Sequence, residues 1–312
     1  MYRNPEKAPI GGKVVVLTNT DSQGRQHKAS IGVLGAALRE YDVDGKDIVV
    51  KFSHDGQYPD SFAGVVLFPW PNRLEDGEYT WEGETFTAPI NEPAKNTNLH
   101  SNSQYYYFEV VHQEANTATF GLRLPGVKYY KFDIYVETTY TLTDRGLEIS
   151  TDVQNLGDKK APFALGFHPW FSTRNDRAVS KLRVDAKSVV EVDERALPTA
   201  VAPVYGKFDL LKSTQLNDSA IDHAFTDVVL DGNSESSVEL VGADGHKTTV
   251  LADKNYTSWQ ICTRSAADGD KIQETVAIEP MTAYANAFKT GKDLTILEPD
   301  QTFSSEWRIE FE

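Results

Sequence analysis

Cysteine is almost missing: Cys262 stands alone among 312 residues. One thiol excludes an internal disulfide framework and any thiolate metal cluster. Basic residues are in deficit, with 31 Lys and Arg against 46 Asp and Glu and a net charge of −15. A nucleic acid needs a clustered basic surface, so none is expected as a partner, and the acidic excess weighs against a strongly anionic substrate. No apolar run approaches membrane-spanning length, and Met1-Tyr2-Arg3-Asn4-Pro5-Glu6-Lys7 lacks the apolar core of a leader peptide. The expectation is a soluble cytoplasmic protein with no membrane partner. None of the seven histidines has His-x-His or His-x-x-x-His spacing, so no metal site is signalled. Helix signals are few, no Gly/Ser-rich or Pro-rich linker divides the chain, and no repeat is visible.

What the chain does have is period-two alternation. In Phe132-Asp133-Ile134-Tyr135-Val136-Glu137-Thr138-Thr139-Tyr140-Thr141-Leu142 the even-numbered residues form a largely apolar face and the odd-numbered ones a mostly polar face. Thr143-Asp144-Arg145-Gly146 then turns the chain into Leu147–Val153, which alternates again, so a long hairpin is predicted. Asp44-Gly45, Glu82-Gly83 and Asp244-Gly245 signal further hairpins. The segment Val33–Tyr41 has helix-friendly composition, but Gly35 and the Asp44-Gly45 turn make a strand at least as good a reading. Many strands without alternating helices indicate an all-β chain, 1–312 as one domain built as a large antiparallel β-sandwich.

Against this background several polar signatures stand out. Pro69-Trp70-Pro71-Asn72-Arg73 ends the apolar run Val65–Phe68 and offers an amide and a guanidinium to hydroxyl groups. The bland reading is an exposed loop with Arg73 paired to Glu75 or Asp76. His100 closes the polar stretch Asn91–Leu99, which is either a surface loop or a route for an imidazole into a cleft. His168 lies in Gly166-Phe167-His168-Pro169-Trp170-Phe171, either as a satisfied core histidine or as a working acid or base. Pro169 cannot continue a ladder, so the chain is expected to leave its sheet there. Asp222, in Ile221-Asp222-His223-Ala224-Phe225, reads as a cap or turn residue after Asn217-Asp218-Ser219, or as an acceptor for sugar hydroxyls. Glu279 follows the apolar Val276-Ala277-Ile278 and precedes Pro280. A carboxylate desolvated at such a strand end has a raised pKa and suits general-base work. Ile296-Leu297-Glu298-Pro299 has the same local form, and periodicity does not choose between Glu279 and Glu298.

Taken in order, these segments resemble the aldose 1-epimerase (galactose mutarotase-like) family, most closely its bacterial branch with a Pro-Trp-Pro-Asn-Arg signature. The likeness runs from about Ala29 to the C-terminus. It is densest over Phe68–Gly77, Pro89–Pro93 and Asn98-Leu99-His100, and again over Ala277-Ile278-Glu279-Pro280-Met281-Thr282 to Leu297-Glu298-Pro299. The resemblance implies a sugar cleft on the concave face of a β-sandwich and interconversion of α and β anomers without metal or cofactor. It also implies His168 as general acid, Glu279 as general base, and Arg73, His100 and Asp222 as residues that bind or orient the sugar. Two positions depart from the family pattern. Ser101 stands where a glycine is usual, and Ala283-Tyr284-Ala285-Asn286 replaces a segment that commonly carries Pro-Asp, so Asn286 loses a carboxylate.

The chemistry fits these residue types. Mutarotation removes a proton from the C1 hydroxyl and delivers one to the ring oxygen, which needs one base and one acid at a single carbon. Asn72, Arg73, His100 and Asp222 are candidates for hydroxyl contacts, and Trp70 or Trp170 for the apolar C–H face of the sugar, with core packing as the plain reading of either indole. A hexose-6-phosphate epimerase would need further cations, and Lys95 is the other one near the signatures. A glycoside hydrolase would need two carboxylates flanking the bond, and a non-catalytic sugar-binding module would need no buried acid and base. Neither the preferred aldose nor the choice of monomer or homodimer is encoded legibly.

Overall fold

Alternation becomes burial as expected: in strand Ile134–Thr143 every even-numbered side chain is buried and every odd-numbered one is partly exposed. It pairs with Gly146–Asn155 through the Thr143–Gly146 turn, completing the long hairpin. The computed structural model describes residues 11–51, 62–124, 126–217, 219–263 and 275–312. The stretch 1–7, read for a leader, lies outside them, as does Asp218. The turns at Asp44-Gly45, Glu82-Gly83 and Asp244-Gly245 each join paired strands. The helix-friendly segment resolves as strand Ala37–Val43, because Tyr41 and Val43 bury alternately against the core while Arg39 and Asp42 do not.

Among the described residues the strands form two large antiparallel sheets, one of 12 strands and one of 9, with three two-stranded pairs attached. Phe167, Phe171, Phe225, Trp259, Ile261, Val276 and Ile278 point from the larger sheet into the shared core. Phe120, Val136, Tyr140, Ile149, Trp307 and Ile309 meet them from the smaller one. Phe167 and Trp307 lie 5.0 Å apart between ring centres. Tyr140 sends its hydroxyl across to the Ala36 carbonyl at 2.8 Å. Large aromatic side chains dominate this interior, each contributing roughly 1.5–3 kcal/mol when fully buried.

The order of strands in the larger sheet brings distant segments side by side. Its middle runs Lys46–Val49, Trp170–Ser172, Thr275–Met281, Ser258–Cys262, Asp222–Val228, Ala186–Val192. Gly166–Phe167 also pairs with Thr275–Met281, so the chain 166–172 forms one ladder interrupted at His168-Pro169. Proline in a central strand removes a donor. Here the amides of Ile278 and Thr282 donate to Pro169 and Leu165, so the amide missing at Pro280 falls at that interruption.

Gly64 braces the interruption from the other side. It has φ +73°, and a Cβ there would stand 1.9 Å from the Leu38 carbonyl oxygen. Its amide donates to the His168 carbonyl at 2.8 Å. Gly64→Ala is therefore expected to destabilise the protein by about 3 kcal/mol or more, through left-handed strain plus backbone displacement. Chemical denaturation checks this, and a midpoint equal to wild type would contradict it.

Candidate active site

Cross-strand register builds the centre of the site. Gly166 stands opposite Met281 and Trp170 opposite Ala277. Counting inward along the same antiparallel ladder places His168 opposite Glu279. On the other side Glu279 stands opposite Gln260, and Gln260 opposite Ala224. Directly opposed residues share a sheet face, so an imidazole, a carboxylate and an amide form one row across three strands. Asp222, two positions from Ala224, joins the same face and accepts from Gln260 Nε2 at 2.7 Å.

His168 Nε2 lies 3.5 Å from Glu279 Oε1, and both side chains are buried, at 10% and 2% exposure. Neither His168 Nδ1 nor Glu279 Oε2 has a hydrogen-bond partner among the described residues. Desolvation pushes the His168 imidazole down to about 4, opposed by the charge of Asp222. Burial raises Glu279 well above the usual carboxylate range; Asp222 adds to the rise and Arg73 opposes it. Both shifts follow from taking charge out of water. The pair therefore shares one proton across a wide pH span.

Glu279 is interior to its strand rather than at the strand end the sequence suggested. The rival, Glu298, is more than half exposed and pairs with Lys160 at 2.7 Å. Sequence periodicity left these two glutamates level, and burial separates them.

A second layer comes from the small pair of strands Arg73–Glu75 and Thr97–Leu99. Asn72 and His100 clamp each other: the Asn72 amide donates to His100 Nδ1 at 2.9 Å, and the His100 amide to the Asn72 carbonyl at 2.8 Å. With Nδ1 accepting, the ring proton of His100 sits on Nε2. Burial lowers its pKa well below the ordinary value, aided by His168 and Arg73, so the imidazole is a neutral donor. The two imidazoles meet edge to face, 5.5 Å between ring centres. Asn72, with φ +57°, accepts the Arg73 amide on Oδ1 at 2.9 Å.

Arg73 is not paired with Glu75 or Asp76, which instead hold Arg195 and Lys289. It makes a two-pronged contact with Glu92, Nε to Oε2 at 2.8 Å and a terminal nitrogen to Oε1 at 3.0 Å. Asp222 opens strand Asp222–Val228, so it is neither a helix cap nor a turn residue.

The tryptophans divide. Trp170 stacks beside His168, with ring centres 5.5 Å apart and planes 29° from parallel, and packs with Ala63 and Ala277. Trp70 corrects the sequence expectation of a sugar-stacking ring. Phe288, Tyr79 and Tyr129 enclose it edge-on, and its N–H donates to Asn98 Oδ1 at 3.1 Å, which leaves no face for a ligand.

Both departures from the family pattern have a structural reading. Ser101 adopts φ +47°, the region glycine favours, and its hydroxyl donates to the Phe68 carbonyl at 2.5 Å. Asn286 accepts the Glu75 amide on Oδ1 at 3.1 Å, and its own amide donates to the Arg73 carbonyl at 2.7 Å. It thus anchors the strand that carries Arg73. Sequence reasoning missed Gln260 and Glu92. Gln260 was detectable as the amide between the apolar Trp259 and Ile261.

Two large antiparallel sheets, with a polar row on the outer face of one, define a galactose mutarotase-like β-sandwich. A sequence profile described as Aldose 1-epimerase matches residues 18–310. The chain belongs to the aldose 1-epimerase family, and as such it is an isomerase acting on a small sugar. YihR of Escherichia coli K12 is 28% identical over 282 residues, covering 87% of this chain and 86% of that protein. The GalM/aldose epimerase homologue from C. elegans superposes with a TM-score of 0.83 at 20% identity, covering 96% of this chain and 99% of its own. Galactose 1-epimerase from Lactobacillus acidophilus NCFM superposes at 0.76 with 18% identity, over 96% and 98%. Among the described residues no helix is long and apolar enough to cross a membrane.

Proposed function

We propose that this protein interconverts the α and β anomers of a free hexose such as glucose or galactose, with Glu279 as general base and His168 as general acid. The observation that carries the reading is their placement on one ladder, buried and 3.5 Å apart. The two oxygens that exchange protons, the C1 hydroxyl and the ring oxygen, are bonded to the same carbon, so their partners must be close neighbours. Glu279 takes the hydroxyl proton while the C1–O5 bond breaks with its electrons moving to O5, and His168 delivers a proton there. The aldehyde end rotates, and closure reverses the roles. The reaction needs the shared proton on His168. Burial favours leaving it on Glu279, whereas Asp222 favours a charged imidazole and Arg73 a charged carboxylate. Sugar hydroxyls donating to Glu279 Oε2 add to the second tendency.

His100 Nε2–H, Arg73 and Asp222 provide hydroxyl contacts in this reading, with Asn72 holding His100 and Arg73 and Trp170 backing the acid. The same reading takes 1–312 as one domain of the branch with the Pro-Trp-Pro-Asn-Arg signature. A cytoplasmic place of action is part of it, where Cys262 stays a thiol. An uncharged substrate is favoured because Arg73 and Lys95 both contact the Glu92 carboxylate.

Polarimetry or NMR over a panel of free and phosphorylated aldoses tests this. Accelerated equilibration is expected for a free hexose, with hexose 6-phosphates turned over at least about tenfold less efficiently. Preference for the phosphate would favour a hexose-6-phosphate epimerase. Binding without acceleration would leave a carbohydrate-binding protein.

A further inference from the structure

Glu92 is the most heavily committed carboxylate near the site, and nothing in the proton-transfer chemistry uses it. Besides the two prongs to Arg73, Oε2 accepts the Thr97 hydroxyl at 2.7 Å and Oε1 the Lys95 ammonium at 3.0 Å. Its backbone is equally fixed. The Glu92 amide donates to the Thr97 carbonyl and the Thr97 amide to the Glu92 carbonyl, closing the single turn Pro93–Lys95 between them. Arg195 secures that turn from outside, donating to the carbonyls of Lys95 and Asn96 at 2.9 and 3.0 Å.

The geometry has two consequences. A guanidinium presents its donors in a rigid planar fork, and Glu92 occupies one whole edge of the Arg73 fork. The remaining terminal nitrogen lies 3.4 Å from Asn72 Oδ1, so the other edge is held in one orientation. The carboxylate also cancels the charge of an arginine whose side chain is only 9% exposed. At that depth solvent screens little, and an uncompensated guanidinium would attract any anion entering the cleft.

We propose that Glu92 is the positioning and charge-selecting residue of this site: it aims Arg73 at neutral hydroxyl groups and cancels the field that would otherwise draw in anionic sugars. The inference rests on the free-hexose reading, and it deepens that reading by naming the residue that enforces it. Glu92 touches Arg73 rather than the reacting atoms, so its removal acts on binding more than on turnover. Losing the charge also exposes Lys95, whose 3.0 Å partner disappears with it.

The test compares wild type with Glu92→Gln and Glu92→Asp. Steady-state anomer interconversion gives KM and kcat, and calorimetric titration gives dissociation constants for orthophosphate and glucose 6-phosphate without requiring activity. Glu92→Gln keeps the shape and removes the charge. It is expected to raise KM for a neutral hexose about tenfold, to change kcat less than threefold, and to tighten binding of both anions about tenfold. Glu92→Asp keeps the charge and is expected to hold anion affinity near wild type even where its shorter reach raises KM. Opposite movements for neutral and anionic ligands are the signature, since a loosened turn would weaken both. Equal weakening of both, or anion affinity unchanged in Glu92→Gln, overturns the proposal. A wild-type protein that accelerates no free aldose overturns the function reading instead, while the anion titrations still decide the role of Glu92.

Discussion

Glu279→Gln is expected to lower kcat for anomer interconversion by about 10²–10⁴-fold, the usual contribution of a positioned proton-transfer group. Glutamine fills the same volume and keeps the row of side chains intact, so the loss isolates the base. His168→Ala is expected to abolish most activity by removing the acid. Glu298→Gln serves as the control: that side chain is exposed and tied to Lys160, and its replacement is expected to leave kcat within about twofold of wild type. The pH profile of the wild type should be bell-shaped. Its acid limb lies near 4, where His168 takes a second proton onto the pair, and its alkaline limb lies well above the ordinary carboxylate range, where Glu279 loses the last one. Glu279→Gln should lose the acid limb, because no base is left to be protonated, while its residual activity still falls with rising pH as His168 loses its proton. Activity that survives in Glu279→Gln but not in Glu298→Gln would move the base to Glu298.

The second large effect concerns stability. A carboxyl group whose folded pKa lies above its unfolded one favours folding at low pH, and that contribution is lost as pH rises through the folded value. Glu279 is such a group, because its burial penalises the carboxylate. Glu279→Gln has no charge to bury and should therefore melt higher than wild type. The gap should be of the order of a few degrees, growing as pH rises and levelling off beyond the alkaline limb. His168 has the opposite sign. Its folded value is depressed, so the wild type loses stability as pH falls from 6.5 toward about 4. Calorimetric melting between pH 4 and pH 10 checks both slopes (the range is set by about the ordinary limits of carboxylates and phenols). A Glu279→Gln protein that melts lower than wild type at every pH would show that the carboxylate is satisfied rather than strained.

Local features of the fold were readable because they depend on neighbouring residues alone. Alternation over 132–153 and the Asp-Gly and Glu-Gly turns gave hairpins in the right places, since pattern and turn chemistry fix a hairpin without reference to the rest of the chain. The pairing of His168 with Glu279 was not readable from the residues themselves. It depends on register between strands more than a hundred positions apart, and on a ladder that resumes after Pro169. Family likeness supplied both names, and the geometry explains why they face each other. Glu92 lay within the polar stretch before His100, yet its two-pronged grip on Arg73 is a tertiary contact that no spacing reveals. Trp70 misled because an indole beside a polar signature looks available. Phe288, more than two hundred residues away, covers it. Gln260 was overlooked because an uncharged amide between two apolar residues attracts less notice than a buried acid.

The proposed acid and base sit on rungs of the central sheet, while Arg73 and His100 arrive with a separate short pair of strands, the second of them entered through the compact turn Pro93–Lys95. Apart from Asp222, which shares the sheet with the reacting pair, the proposed recognition residues therefore occupy a different piece of the scaffold from the chemistry. Exchanging the turn and its flanking residues is a route to new sugar preferences that leaves the reacting pair undisturbed. Redesign of the sheet itself offers no such freedom, because displacing one rung moves its neighbours with it.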